Sequence, residues 1–210
     1  MQTKIRGIRN GGDGNEVDVK ATRQGDLIGS PRLPKYTLAS ASGDLVRVDC
    51  TTAVASVTAI PTTTAMLTVW NGDSTKAYAI DQLLAAAWGS DSAGVARFFI
   101  LACLHPVGMD QPDTQDLTPI KLNADGNYGG NAWCDVGATV VNDGWVAWGQ
   151  GQDLPAANDD AMPGKVAIAY VDGRMVLPPR AGLSLVVMSD KVAVTVKVGM
   201  MWYEVPLDLG

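Results

Sequence analysis

The sequence predicts an all-β protein: an antiparallel two-sheet β-sandwich, a jelly roll, behind an extended N-terminal arm. Three observations predict it. Near the C-terminus, Val192, Val194, Val196, Val198, Met200 and Trp202 take the even positions, and Lys191, Ala193, Thr195, Lys197 and Gly199 fill the odd ones. A sustained period of two marks a strand with one buried face, and β-branching suits a pleated surface. The carboxylates are 20 Asp against 2 Glu, Glu16 and Glu204; Asp favours turns where Glu favours helices. From Leu45 onward, short Val- and Thr-rich runs alternate with turn residues.

Residues 1–45 read as the arm. Gly11, Gly12 and Gly14 cluster, and Pro31 and Pro34 interrupt the chain beyond them. Such a segment buries too little apolar area by itself and is expected to order against a neighbour. Residues 46–210 read as the jelly-roll domain. Its strands, the first opening one residue earlier, are expected at 45–49, 53–59, 65–70, 76–86, 95–104, 132–140, 144–148, 165–171, 174–177, 183–188 and the final valine run. Asn71-Gly72, Asn142-Asp143-Gly144 and Asp172-Gly173 supply residues that tolerate positive φ, as tight hairpins need. Of these, Asp172-Gly173 lies between two apolar runs and reads most clearly as a hairpin. Residues 81–88 (DQLLAAAW) also suit a short helix, but the preceding Ala-Tyr-Ala-Ile favours strand. Loops 105–119 and 149–164, rich in Pro, Asp, Gln and Asn, are long enough to be functional or to meet a neighbour.

Charged residues make up only 18% of the chain, below the usual quarter, as suits a surface covered by partners. The net charge of −6 argues against a nucleic-acid partner. Residues 1–9 carry Lys4, Arg6 and Arg9 without an acid, so the remainder holds −9 of that balance. This basic tip reads either as an arm that docks on an acidic neighbour or as a solvated terminus. Cys50, Cys103 and Cys134 are odd in number and form no CxxC pair; they read as buried reduced thiols, in keeping with synthesis in a reducing cytoplasm. No apolar leader and no run of 18 apolar residues is visible, so neither a secretory signal nor a membrane partner is expected.

Candidate chemistry is sparse. His105 is the sole histidine, so any nucleophile–histidine pair must use it. Cys103, two residues upstream on the same strand face, is the nearest nucleophile, but no orienting third group is identifiable. Residues 123–127 superficially resemble a calcium loop, yet Tyr128 stands where glycine and Cys134 where an acid is required. No catalytic residue, cofactor or metal is expected. Trp133 and Trp148 flank loops and could stack on a glycan. Met201 and Tyr203 give the second face of the last strand bulky residues, which suggests cover from another subunit.

Three stretches carry a family resemblance. Met175-Val176-Leu177-Pro178-Pro179-Arg180-Ala181-Gly182-Leu183-Ser184-Leu185 precedes the valine strand that ends in Trp202-Tyr203-Glu204-Val205-Pro206. Residues 78–106 place a strand and a small-residue turn before Arg97-Phe98-Phe99-Ile100-Leu101-Ala102. The arm holds Gln24-Gly25-Asp26-Leu27 and Lys35-Tyr36-Thr37-Leu38-Ala39. In texture and element order the chain resembles the jelly-roll decoration (cement) proteins of tailed-bacteriophage heads. The resemblance implies a homotrimer on the outer surface of the virion that bridges and stabilises the major capsid protein. It makes residues 1–45 the capsid-binding arm and offers no catalytic residue. A head-fibre or tail module that binds a carbohydrate or receptor is the alternative.

Overall fold

The computed structural model describes residues 6–8, 16–18, 36–61, 64–90, 96–124, 127–138, 144–154, 166–190 and 194–207. The chain divides into two compact units, Met1–Leu38 and Ala39–Gly210. In the first, β1 (Arg6–Ile8) pairs antiparallel with β2 (Glu16–Asp18). The other residues of the expected arm, up to 35, lie outside the described residues.

A helix, α1 (Thr37–Ser42), stands where extended chain was expected. Its six residues contain neither Gly nor Pro. Gly43 ends it at φ 78°, and the Gly43 and Asp44 amides donate back to the Ser40 and Ala39 carbonyls, a Schellman closure that glycine favours.

Eleven strands come after it: β3 (Leu45–Asp49), β4 (Val54–Ala55), β5 (Leu67–Asn71), β6 (Lys76–Ser90), β7 (Ala96–His105), β8 (Ile120–Lys121), β9 (Ala132–Asp135), β10 (Val146–Leu154), β11 (Val166–Leu177), β12 (Gly182–Ser189) and β13 (Val194–Pro206). One sheet runs β11-β6-β13-β3-β8, with β4 also on β13; the other runs β10-β7-β12-β5-β9. The antiparallel pairs β3·β13, β5·β12, β6·β11 and β7·β10 are nested, first strand with last and so inward. That nesting, split over two sheets, is the jelly roll the sequence predicted. β8 and β9 extend the two sheets from an insertion between β7 and β10.

The core lies between the sheets. Val194, Val196, Val198, Met200 and Trp202 of β13 are all buried, as the even-position pattern requires. They pack in one cluster with Tyr78, Ile80 and Leu83 of β6 and with Phe98, Ile100, Leu183 and Leu185 of the facing sheet.

Residues 81–88 are strand, and the helix-like reading has a physical source. Opposite Met201 and Trp202 the register jumps from Gln82 to Ile80, so Asp81 is a bulge. Buried positions shift from Tyr78 and Ile80 to Leu83, Ala85 and Ala87, which breaks the period of two in the sequence.

Four expectations need correction. The strands on either side of Asn142-Asp143-Gly144, β9 and β10, stand at opposite ends of their sheet and form no hairpin, and 142 and 143 lie outside the described residues. Asp172-Gly173 does not reverse the chain: β11 runs through it, and the register on β6 shifts between Tyr170 and Met175. Asp172 (φ 50°) and Gly173 (φ 74°) do take the left-handed conformation, but they build a bulge in an edge strand. Asn71-Gly72 is not a hairpin either, because β5 and β6 lie in different sheets. The fully buried Asn71 side chain makes this turn, donating to the Lys76 and Leu177 carbonyls and accepting from the Asp73 amide. The strand expected at 53–59 shortens to β4, since the Ser56 amide donates to Val194 on one sheet and the Val57 amide to Val187 on the other.

Candidate functional site

Two regions merit a functional reading: a buried polar row on the five-stranded sheet, and the outer face of the six-stranded sheet.

Asp135, Thr68, Ser184 and Cys103 stand opposite one another across β9, β5, β12 and β7. Directly opposed residues share a face, so the four form one row, and all are buried. The Ser184 hydroxyl lies 2.9 Å from that of Thr68 and 2.7 Å from His105 Nε2. His105 shares the face of Cys103, as expected, but its close hydroxyl partner is Ser184, a residue the sequence does not single out. Burial lowers the His105 pKa below its ordinary value, so the imidazole is neutral at pH 7. A serine beside a neutral histidine has the composition of a nucleophile and its base. Ser184 Oγ, however, is shared between two protein partners and has no exposed surface, whereas a nucleophile needs an open position beside it.

The loop after β7 packs against this sheet. Gly108 N donates to Arg180 O and Leu117 N to Cys134 O. Thr114 Oγ1 donates to Asp135 at 2.7 Å, and Trp133 Nε1 donates to Thr114 O at 2.7 Å. Met109 packs on the core. Asp135 has a raised pKa, chiefly through burial and then through neighbouring Asp116, against the lowering bonds from Thr114 and Val136. The loop is thus tied to its own domain. In the other long loop, 149–154 belongs to β10, and 155–164 lies outside the described residues.

Trp133 is half-buried and held by its indole bond to the loop. Trp148 is half-buried and packed against the core. Trp145, just before β10, is buried too. Beside Phe99, an open cleft of about 650 Å³ is lined by Thr58, Arg97, Met188 and Asp190; none of the expected tryptophans lines it.

A second polar cluster is absent from the sequence expectations. Glu204, 6% exposed, accepts a bond from the Tyr128 hydroxyl and a 2.8 Å ion pair from Lys76. The sequence does hold a signal for it: Glu204 continues the even series of β13, so a carboxylate is due on the core face and needs a partner. The carboxylate anchors the insertion after β8 to two adjacent strands of the six-stranded sheet, β6 and β13.

Cys50, Cys103 and Cys134 are unbridged and buried. Burial pushes Cys50 up to about 11, despite a bond from the Val198 backbone, and also raises Cys134. Native protein is therefore expected to resist a thiol reagent at pH 8 and to release three reactive thiols only in denaturant. Rapid labelling of one thiol in folded protein would contradict the buried positions.

Met201 and Tyr203 were expected at an oligomer interface. Met201 is only 8% exposed, so the chain already covers it. It sits on a central strand with Gln82 and Arg47 opposite on either side. Tyr203 is half-buried. Toward the edge of this sheet, Trp88, Val166, Ile168, Tyr170 and Val176 are exposed. Lys4 and Arg9 lie outside the described residues, and Arg6 is placed only as part of β1.

Among the described residues, no group of three His, Cys, Asp or Glu side chains could hold a metal, and no helix is long and apolar enough to cross a membrane. Compared with known proteins, the chain matches no family model, no curated protein and no solved structure.

Proposed function

We propose that this chain is a virion structural protein: a capsid decoration, or cement, protein that assembles as a homo-oligomer, with a trimer as the expected order, on the outside of a phage head. It is made in the host cytoplasm and binds the major capsid protein. The observation that carries the reading is the split between the molecule's interior and its surface. The polar clusters of the jelly roll are used in internal bonds, while five of the twelve large apolar side chains exposed among the described residues stand on one outer sheet face. A surface of that kind suits contact with other proteins. The charge distribution supports the same reading, since a basic tip on an acidic chain can dock on acidic shell subunits. Many copies with several weak contacts each then hold by avidity.

Cosedimentation with phage heads assembled without the protein tests this. Wild-type protein is expected to bind, more tightly at low salt, and the full-length Lys4→Glu/Arg6→Glu/Arg9→Glu variant to lose binding with its fold intact. Equal binding by both removes the arm from the contact. A wild type that ignores heads but binds on a glycan array belongs to the alternative class, a carbohydrate- or receptor-binding module.

A further inference from the structure

We infer that the outer face of β11 and β6 is the surface on which another copy of this chain docks. Over 166–170 of β11 and 84–88 of β6 the inward and outward sides are inverted relative to an ordinary half-buried sheet. β11 turns Ala167 and Ala169 into the core and leaves Val166, Ile168 and Tyr170 outside. β6 turns in Ala85 and Ala87 and leaves Trp88 exposed, with Leu84 half-buried. A sheet facing only water places its large apolar side chains inward.

The outward residues adjoin. Val166 stands opposite Ala86, Ile168 opposite Leu84 and Tyr170 opposite Gln82. Lys197 of β13, opposite Ala86, lies with its ammonium 4.1 Å from the centre of the Trp88 ring. The Asp172–Arg174 pair interrupts the outward row at the bulge, between Tyr170 and Val176. Between these two points the outward residues of β11 carry no charge.

Area and chemistry favour a second copy as the occupant. Exposures of 47% for Trp88, 42% for Ile168 and 56% for Tyr170, with Val166 and Val176 about half exposed, put roughly 500 Å² of apolar surface on this face. Two such faces together remove roughly 1,000 Å², the lower bound of a specific interface. The stretch between Lys197 and the Asp172–Arg174 pair is uncharged on both strands, so it sets no like charges against each other when it meets a copy of itself. Beside it, β11 is a sheet edge whose segment Val-Ala-Ile-Ala-Tyr has no charge and no proline, and such edges are covered in stable proteins.

The inference shares with the proposed function only the expectation that copies associate, and salt separates the two. Residues beyond the basic tip carry −9, so copies repel and added salt strengthens an apolar contact between them, whereas arm-to-shell docking weakens. Light-scattering mass over a concentration series, without capsids, is the test. Wild-type protein is expected to form an oligomer, favoured by salt. Ile168→Lys and Tyr170→Asp, both on exposed side chains, are expected to weaken association by about tenfold or more while keeping the wild-type melting curve. Val107→Asp, exposed elsewhere, should leave the mass unchanged. A wild type that is monomeric at every concentration overturns the inference, as does an oligomer that neither β11 variant weakens.

Discussion

Replacing Trp202 by Ala is expected to cost about 3–5 kcal/mol, a large share of the roughly 5–15 kcal/mol that holds a domain folded. Trp202 is fully buried in β13, paired to β6 on one side and β3 on the other, and its ring stacks on Tyr78 with centroids 5.7 Å apart. The loss combines vanished apolar contacts with a cavity between two sheets that are braced on every side. Trp202→Phe is expected to cost less, about 1–2 kcal/mol, because the indole nitrogen finds no acceptor among the described residues and no hydrogen bond is lost. Trp88→Ala, on the outer face, should cost less than about 1 kcal/mol, the loss being its contact with Lys197. Urea denaturation of the three variants tests the ordering; equal losses at 202 and 88 would mean that the centre of the sandwich is misplaced.

Alkaline pH is expected to unfold the protein early, with the Glu204 cluster as the main cause. Burial raises the pKa of Tyr128 and of Tyr78; the carboxylate of Glu204 adds to both shifts. The bond to Glu204 raises Lys76 against its own desolvation. Each of these groups holds its proton more tightly folded than unfolded. Their contribution is complete below the unfolded values, about pH 10, and is lost as pH rises beyond, by up to about 1.4 kcal/mol per pH unit for each group. The buried thiols Cys50 and Cys134 start the decline nearer pH 9. Glu204→Ala leaves Lys76 and the Tyr128 hydroxyl without their acceptor and is expected to cost about 3 kcal/mol at pH 7, with a flatter alkaline limb. Stability measured between pH 7 and 11 checks this; a flat profile for the wild type would remove the cluster from the account.

How much of the fold is legible in the sequence depends on the kind of information involved. β3 is legible to the residue, and β13 to within a few, because the alternation along β13 itself is unbroken and its even-numbered side chains from Val194 to Glu204 are all buried. β6 is harder because Asp81 shifts its pattern midway. At Asp172-Gly173 the sequence foretells the left-handed backbone and not its consequence: turn chemistry shows where φ is positive, but not whether the chain reverses or merely bulges. That Met201 is already covered within its own chain is not legible, because period two cannot tell a central strand from an edge. The exposed face leaves a trace in the large-out, small-in order of Val166-Ala167-Ile168-Ala169-Tyr170. Reading it requires knowing which side is in, and that depends on the partner strand. The Ser184–His105 contact joins residues far apart in sequence and has no local sign.

The nested order of the strands also constrains biosynthesis. β3 joins the rest of its sheet through β13, the last strand of the sequence described, with only the two-residue β8 on its other side. A growing chain therefore carries one side of β3 unpaired until residues 199–203 have left the ribosome. Closure by such remote pairing is slow, and during that wait the nascent polypeptide is exposed to chaperones and to its neighbours on the same message.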